Sequence, residues 1–275
     1  MNKEMIILEL KKRGYEVEEH DVVKNGVTLE AIVIKNEYNI APTFYTEKII
    51  EEAKESDKSV SEVVDDILRV YEEVKVEHDL DVKEILTKDF VLSHVKIGVQ
   101  RTSDEDLIKS ATEFDGVESY LYVSDKLNDN EEEYSIRLTT NLLSYLSLDE
   151  EELWENAKTN TFKETCVNSL SDIVGMPALF PDMYIITNSR KIKGASAILD
   201  REFLHNFGEQ MNISKFVILP SSIHECILVP CEDDEDLEHF SAMVRDVNEL
   251  SVEPTEQLSD RAYIYNLKAL KPILK

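Results

Sequence analysis

Two runs decide how this chain folds: Tyr184-Ile-Ile-Thr-Asn-Ser-Arg-Lys-Ile-Lys-Gly-Ala-Ser-Ala-Ile-Leu199 and Phe216-Val-Ile-Leu-Pro-Ser-Ser-Ile-His-Glu-Cys-Ile-Leu-Val229. Each pairs apolar, β-favouring segments across a polar turn, and a helical segment at 201–207 separates them. The first turn is basic, with Arg190, Lys191 and Lys193 ahead of Gly194; the second carries Ser221, Ser222, His224 and Glu225. Upstream, 120–123, 134–138 and a helical 141–146 read as a ββα unit. Residues 184–187, 195–198 and 201–207 read as a second unit that shares pattern rather than residues. The prediction is an α+β protein, with antiparallel sheets built from hairpins and ββα units and helices packed on one side.

The N-terminal part carries local signals. Residues 2–13 form an amphipathic helix closed by Gly14. Asn25-Gly26 between 15–23 and 27–34 is the strongest hairpin signal in the chain, because both residues tolerate positive φ. A helix follows around Ile49, Ile50 and Ala53. Ser59-Val-Ser-Glu62 then reads as a capping box opening a helix that runs to about residue 77. A further helix is expected at 81–87, a strand at 90–99 and a short helix at 104–112. An acidic helix capped by Asp149 is expected at 148–158, continuing through 160–174 to Gly175-Met-Pro177. The acids of 232–236 precede a helix with Leu237, Phe240, Val244 and Val247 on one face, and 261–265 closes as a strand. No Gly/Ser/Pro-rich linker marks a boundary. The division is 1–98 and 99–275, or a single domain.

Composition excludes some functions. Against 30 basic residues stand 57 acidic ones, a formal charge of −27, which repels phosphate backbones and anionic membranes. Direct binding to a nucleic-acid backbone is therefore not expected. The same charge admits another reading, a carboxylate array that imitates DNA and inhibits DNA-binding enzymes. The acidic runs 149–155 and 232–238 would carry it; the plainer reading makes both solvated helix starts. Cys166, Cys226 and Cys231 form neither a disulfide framework nor a zinc set. Reduced thiols, the lack of a signal-peptide core and the lack of an apolar run near 20 residues point to the cytoplasm.

Ile186-Thr-Asn-Ser-Arg-Lys-Ile-Lys-Gly-Ala-Ser-Ala-Ile-Leu199, Ile218-Leu-Pro-Ser-Ser-Ile-His-Glu225, Met243-Val-Arg-Asp-Val-Asn248, Glu253-Pro254 and Leu258-Ser-Asp260 resemble an uncharacterised bacterial family. It comprises cytoplasmic proteins of similar length, known only as a domain of unknown function. The layout is also similar, more faintly, to a second unknown-function family with an N-terminal hairpin and helix. Neither resemblance implies an activity, a ligand or a catalytic residue.

Three functions remain open. A non-catalytic binding or interaction protein would use Arg190, Lys191, Lys193 and Ser221, with a protein as partner and Gly194 allowing close backbone approach to an anion. A hydrolase or transferase would use Ser222, His224 and Glu225, since alternate residues of an extended segment share a face. The plain reading of that turn has its serines satisfying backbone groups and its histidine packing. The DNA mimic is the third. No cofactor or metal is expected: Gly-rich phosphate loops and His-Glu-x-x-His are missing, and His205/Glu209 and Glu238/His239 are isolated pairs.

Overall fold

The computed structural model describes residues 1–77, 79–126, 133–175, 183–231, 236–268 and 271–273. It forms two compact units, Met1–Lys83 and Glu84–Lys275. The acidic loop at 127–132, Met176-Pro177 and most of the 232–236 run lie outside the described residues.

The first unit folds as its local signals direct. Asn2 caps α1 (Lys3–Lys12), its side chain accepting from the Met5 amide. Asn25 (φ 52°) and Gly26 (φ 74°) then turn β1 (Val17–Lys24) into β2 (Val27–Ile34), with Lys24 opposite Val27. The short β3 (Thr43–Tyr45) adds to β2 ahead of α2 (Thr46–Glu55). Ser59 and Glu62 complete the reciprocal capping box of α3 (Val60–Val74). Its stripe of Val63, Val64, Ile67 and Tyr71 meets Ile6 and Leu10 of α1 and Ile32 and Ile34 of β2 in one core. A single turn, α4 (Val82–Ile85), crosses the division.

The second unit begins with α5 (Lys88–His94), capped by Thr87. Sheet strands β4 (Val95–Arg101), β5 (Lys109–Ala111), β6 (Val117–Lys126) and β7 (Glu133–Arg137) follow. Strand β6 is central, with β4 along one side and β5 and β7 along the other. Two helices, α6 (Thr140–Leu146) and α7 (Glu150–Phe162), lead to β8 (Thr165–Ser169) and α8 (Leu170–Val174). After β9 (Tyr184–Asn188) come a 3-10 helix (Gly194–Leu199), α9 (Arg201–Met211), β10 (Lys215–Leu219) and β11 (Cys226–Cys231). Helix α10 (Leu237–Ser251), β12 (Tyr263–Asn266) and β13 (Lys271–Ile273) finish the chain. The large sheet runs β13-β12-β10-β11-β9-β8, and all its pairs are antiparallel. The α+β class is thus the fold, with three antiparallel sheets among the described residues.

Period-two alternation of β10 feeds two cores. Phe216 and Ile218 join Ile186, Leu228, Ile198, Leu204 and Tyr265, whereas Val217 and Leu219 join Val229, Ile264 and Val244 of α10. Fully buried side chains of this size contribute about 1.5–3 kcal/mol each. A third core sets Val95, Ile97, Leu121 and Val123 against Leu153 and Ala157 of α7.

Four expected elements differ. The strand expected at 195–198 is the 3-10 helix, so only 120–146 forms a ββα unit. The strand expected at 90–99 is half helix, because the Thr87 cap starts α5 and strand geometry begins at Val95. In place of a short helix at 104–112 stands β5, held by β6. The helix expected across 160–174 is interrupted: α7 stops at Phe162 and helix resumes only in α8 at Leu170. Thr165 and Val167, stiff β-branched residues, pair with Asn188 and Ile186 of β9 instead. Asp149 does cap α7, accepting from the Glu152 amide at 3.0 Å.

Candidate functional site

Asn188 ends β9 and builds the basic turn. Its side-chain oxygen accepts from the amides of Arg190 (3.2 Å) and Ile192 (3.3 Å), while its amide nitrogen donates to the Ile192 carbonyl (2.8 Å). Lys191 and Lys193 both take left-handed backbone, φ 56° and 52°. Gly194 then passes beneath the sheet end so closely that a Cβ there would lie 2.2 Å from Thr187 Oγ1 and 2.8 Å from the His224 carbonyl oxygen.

That passage joins the two turns. The Lys193 amide donates to His224 Nδ1 at 3.2 Å, Ala195 N–H donates to the Ile223 carbonyl at 3.2 Å, and Thr187 Oγ1 donates to the His224 carbonyl at 2.8 Å. A third segment locks in from the other side. Ile223 N–H donates to Glu256 O (2.8 Å), Leu258 N–H to Ser221 O (3.1 Å), and Ser222 bridges Gln257. Segments 188–195, 220–224 and 256–259 thus make one platform at an end of the large sheet.

The geometry assigns the turn's side chains. Ser222 Oγ accepts from the backbone amide of His224 at 3.0 Å, and among the described residues neither ring nitrogen of His224 meets a hydroxyl. Because Nδ1 accepts from a backbone N–H, the neutral ring carries its proton on Nε2, which faces Glu256 Oε1 at 3.5 Å. The carboxylate beside the ring is therefore Glu256, from another segment, and not Glu225. Ser222, His224 and Glu225 do not form a nucleophile–base–orienter relay here.

Lys193 and Arg190 are held by neighbouring elements of the second unit. Lys193 Nζ sits 4.4 Å above the Tyr122 ring and donates to Ser135 Oγ at 2.8 Å. Arg190 Nε lies 3.7 Å from Glu164, whose two oxygens also accept from Lys96 at 2.7 and 2.8 Å. Burial pulls the Lys96 ammonium below its ordinary value; the Glu164 hydrogen bond opposes this, and Arg190 and Lys163 add to it. Lys191 and Ile192 point outward, with Ile192 49 % exposed. Glu164, Glu256, Lys96 and Tyr122 were invisible as site residues in the sequence.

Elsewhere the candidates stay separate. His205 pairs with Glu209 at 3.4 Å, and among the described residues no three His, Cys, Asp or Glu side chains converge as a metal set. Burial raises the Cys226 thiol, with Glu225 adding to it, and also raises Cys166. Of the acidic run at 149–155, Asp149 caps its helix, Glu152 pairs with Lys88 and Glu155 with Lys158. Among the described residues no helix is long and apolar enough to cross a membrane.

Fold and site together define an α+β protein in which three joined segments form a platform at an end of the large sheet. The chain belongs to a family of unknown function, DUF5688, which matches residues 3–267. Comparison with curated proteins found no match, and comparison with solved structures found none.

Proposed function

We propose that this chain is a non-catalytic binding protein of the bacterial cytoplasm that takes a protein partner on the platform of the Arg190 and Ser221 turns. The observation that carries this reading is the Lys193 N–H to His224 Nδ1 bond, which ties a projecting tip to a second loop and so preorganises it. A surface rigid before contact loses little entropy on binding. Exposed Ile192 beside exposed Lys191 offers an apolar contact next to a positive charge, and Ser221 belongs to the second turn of the same platform. The charge of −27 disfavours a nucleic-acid partner, and the reading calls for no cofactor.

The test is capture from a cell extract by immobilised wild type and by a Lys191→Glu, Ile192→Ser double variant. Both positions are exposed, so the variant should keep its Tm and lose the wild-type partner. An undiminished set of captured proteins would contradict the assignment.

A further inference from the structure

Helix α7 has two working faces. Leu153 and Ala157 are buried in the third core; Trp154 and Phe162 pack half-buried against its edge and, with Lys158, form a stripe at i, i+4 and i+8. That stripe is one wall of an open cleft of about 770 Å³. Across it stand the β5 end and the corner where the 3-10 helix meets α9, contributing Glu113, Leu199, Arg201 and Glu202. None of the platform residues Arg190, Lys191, Lys193 or Ser221 lines it, so this is a separate site.

The charges of the cleft select a ligand class. Arg201 is held by the Glu113 carboxylate, and Lys158 is held at 2.6 Å by Glu155, which is not part of the lining. The positive end of α9 is already answered: Asp200 accepts from the Phe203 amide at 3.0 Å, and Glu202 sits in the first turn. Glu202 is exposed and has no ion-pair or hydrogen-bond partner among the described residues. The half-buried indole of Trp154 supplies a flat π-face, which attracts cations as well as rings. We propose that this cleft binds a small aromatic molecule carrying an ammonium or amidinium group. Its ring would lie against Trp154 and Phe162, and its cationic end would meet Glu202. A phosphate-bearing ligand is disfavoured by the overall charge and by the occupied helix end.

Trp154 is the chain's only tryptophan, so its fluorescence reports the cleft directly. The experiment titrates the full chain with phenethylamine and, separately, with phenylacetate, which has the same ring and the opposite charge. Saturable change in emission is expected with the amine, at an affinity about tenfold above that of the acid. Glu202→Gln should weaken the amine several-fold and leave phenylacetate unchanged; as an exposed substitution it should preserve the fold, as circular dichroism would verify. Equal or tighter binding of phenylacetate would overturn the ligand class, and a linear, unsaturable response to both compounds would overturn the site. Neither result bears on partner capture by the platform.

Discussion

Two Asn-led turns show how differently this molecule encodes similar-looking sequence. At Asn25-Gly26 the cue for the turn lies in the dipeptide itself. The glycine supplies positive φ, β1 and β2 pair in register from Lys24 and Val27 outward, and a two-residue hairpin results. At 188–194 two lysines carry the positive φ instead, each at a cost of roughly 1–2 kcal/mol by ordinary steric reckoning. The glycine serves a different end, letting backbone pass against Thr187 and the His224 carbonyl. The chain then winds into a 3-10 helix rather than returning as a strand. A glycine after a polar turn therefore has two meanings, conformation or space, and only tertiary contact distinguishes them.

The largest effect should come from removing that space. Gly194→Ala places a methyl group against backbone atoms on two sides and should destabilise the protein by roughly 2–4 kcal/mol. Chemical denaturation of the variant measures it, and a loss below that of Gly26→Ala would break the contrast between the turns. Gly26→Ala meets the left-handed backbone penalty at φ 74°, expected near 1 kcal/mol. Ser59→Ala, which removes the other local signal of the first unit, should also cost about 1 kcal/mol in a melt of that unit.

The smallest effect at neutral pH belongs to Tyr265. Its hydroxyl is buried without a hydrogen-bond partner among the described residues. Tyr265→Phe should therefore be neutral within about 0.5 kcal/mol, or slightly stabilising. At alkaline pH the same position sharpens the comparison. Burial pushes the phenols of Tyr265 and Tyr120 from 10.0 up to about 12. A raised folded-state value means the unfolded chain releases the proton first. The contribution is thus whole below pH 10 and declines as pH rises toward about 12. The phenylalanine variant should lose less stability across that window, as denaturation at stepped pH would register.

The same distinction explains what the sequence disclosed. The Asn25-Gly26 hairpin, the Ser59–Glu62 box, the Asp149 cap and the β10–β11 pair were legible because their cues lie within a few residues. Ala195-Ser-Ala-Ile198 was not: small and apolar residues suit a strand equally well, and the contact that chooses 3-10 geometry comes from residues about 30 positions away. Strand β8 hid behind a helix whose stop carries no proline or glycine. Of the site, the two turns could be named but their partners could not. Glu164 and Glu256 are ordinary acids in a chain of 57, and position alone makes them part of it.

Native-state hydrogen exchange at the Lys193 and Ala195 amides, in wild type and His224→Phe, tests the joined platform most directly. In wild type both amides should be protected; in the variant Lys193 should lose its acceptor and exchange faster, while Ala195, bonded to the Ile223 carbonyl, stays protected. A Lys193 amide exchanging at the free-peptide rate in wild type would mean that the two turns are not joined.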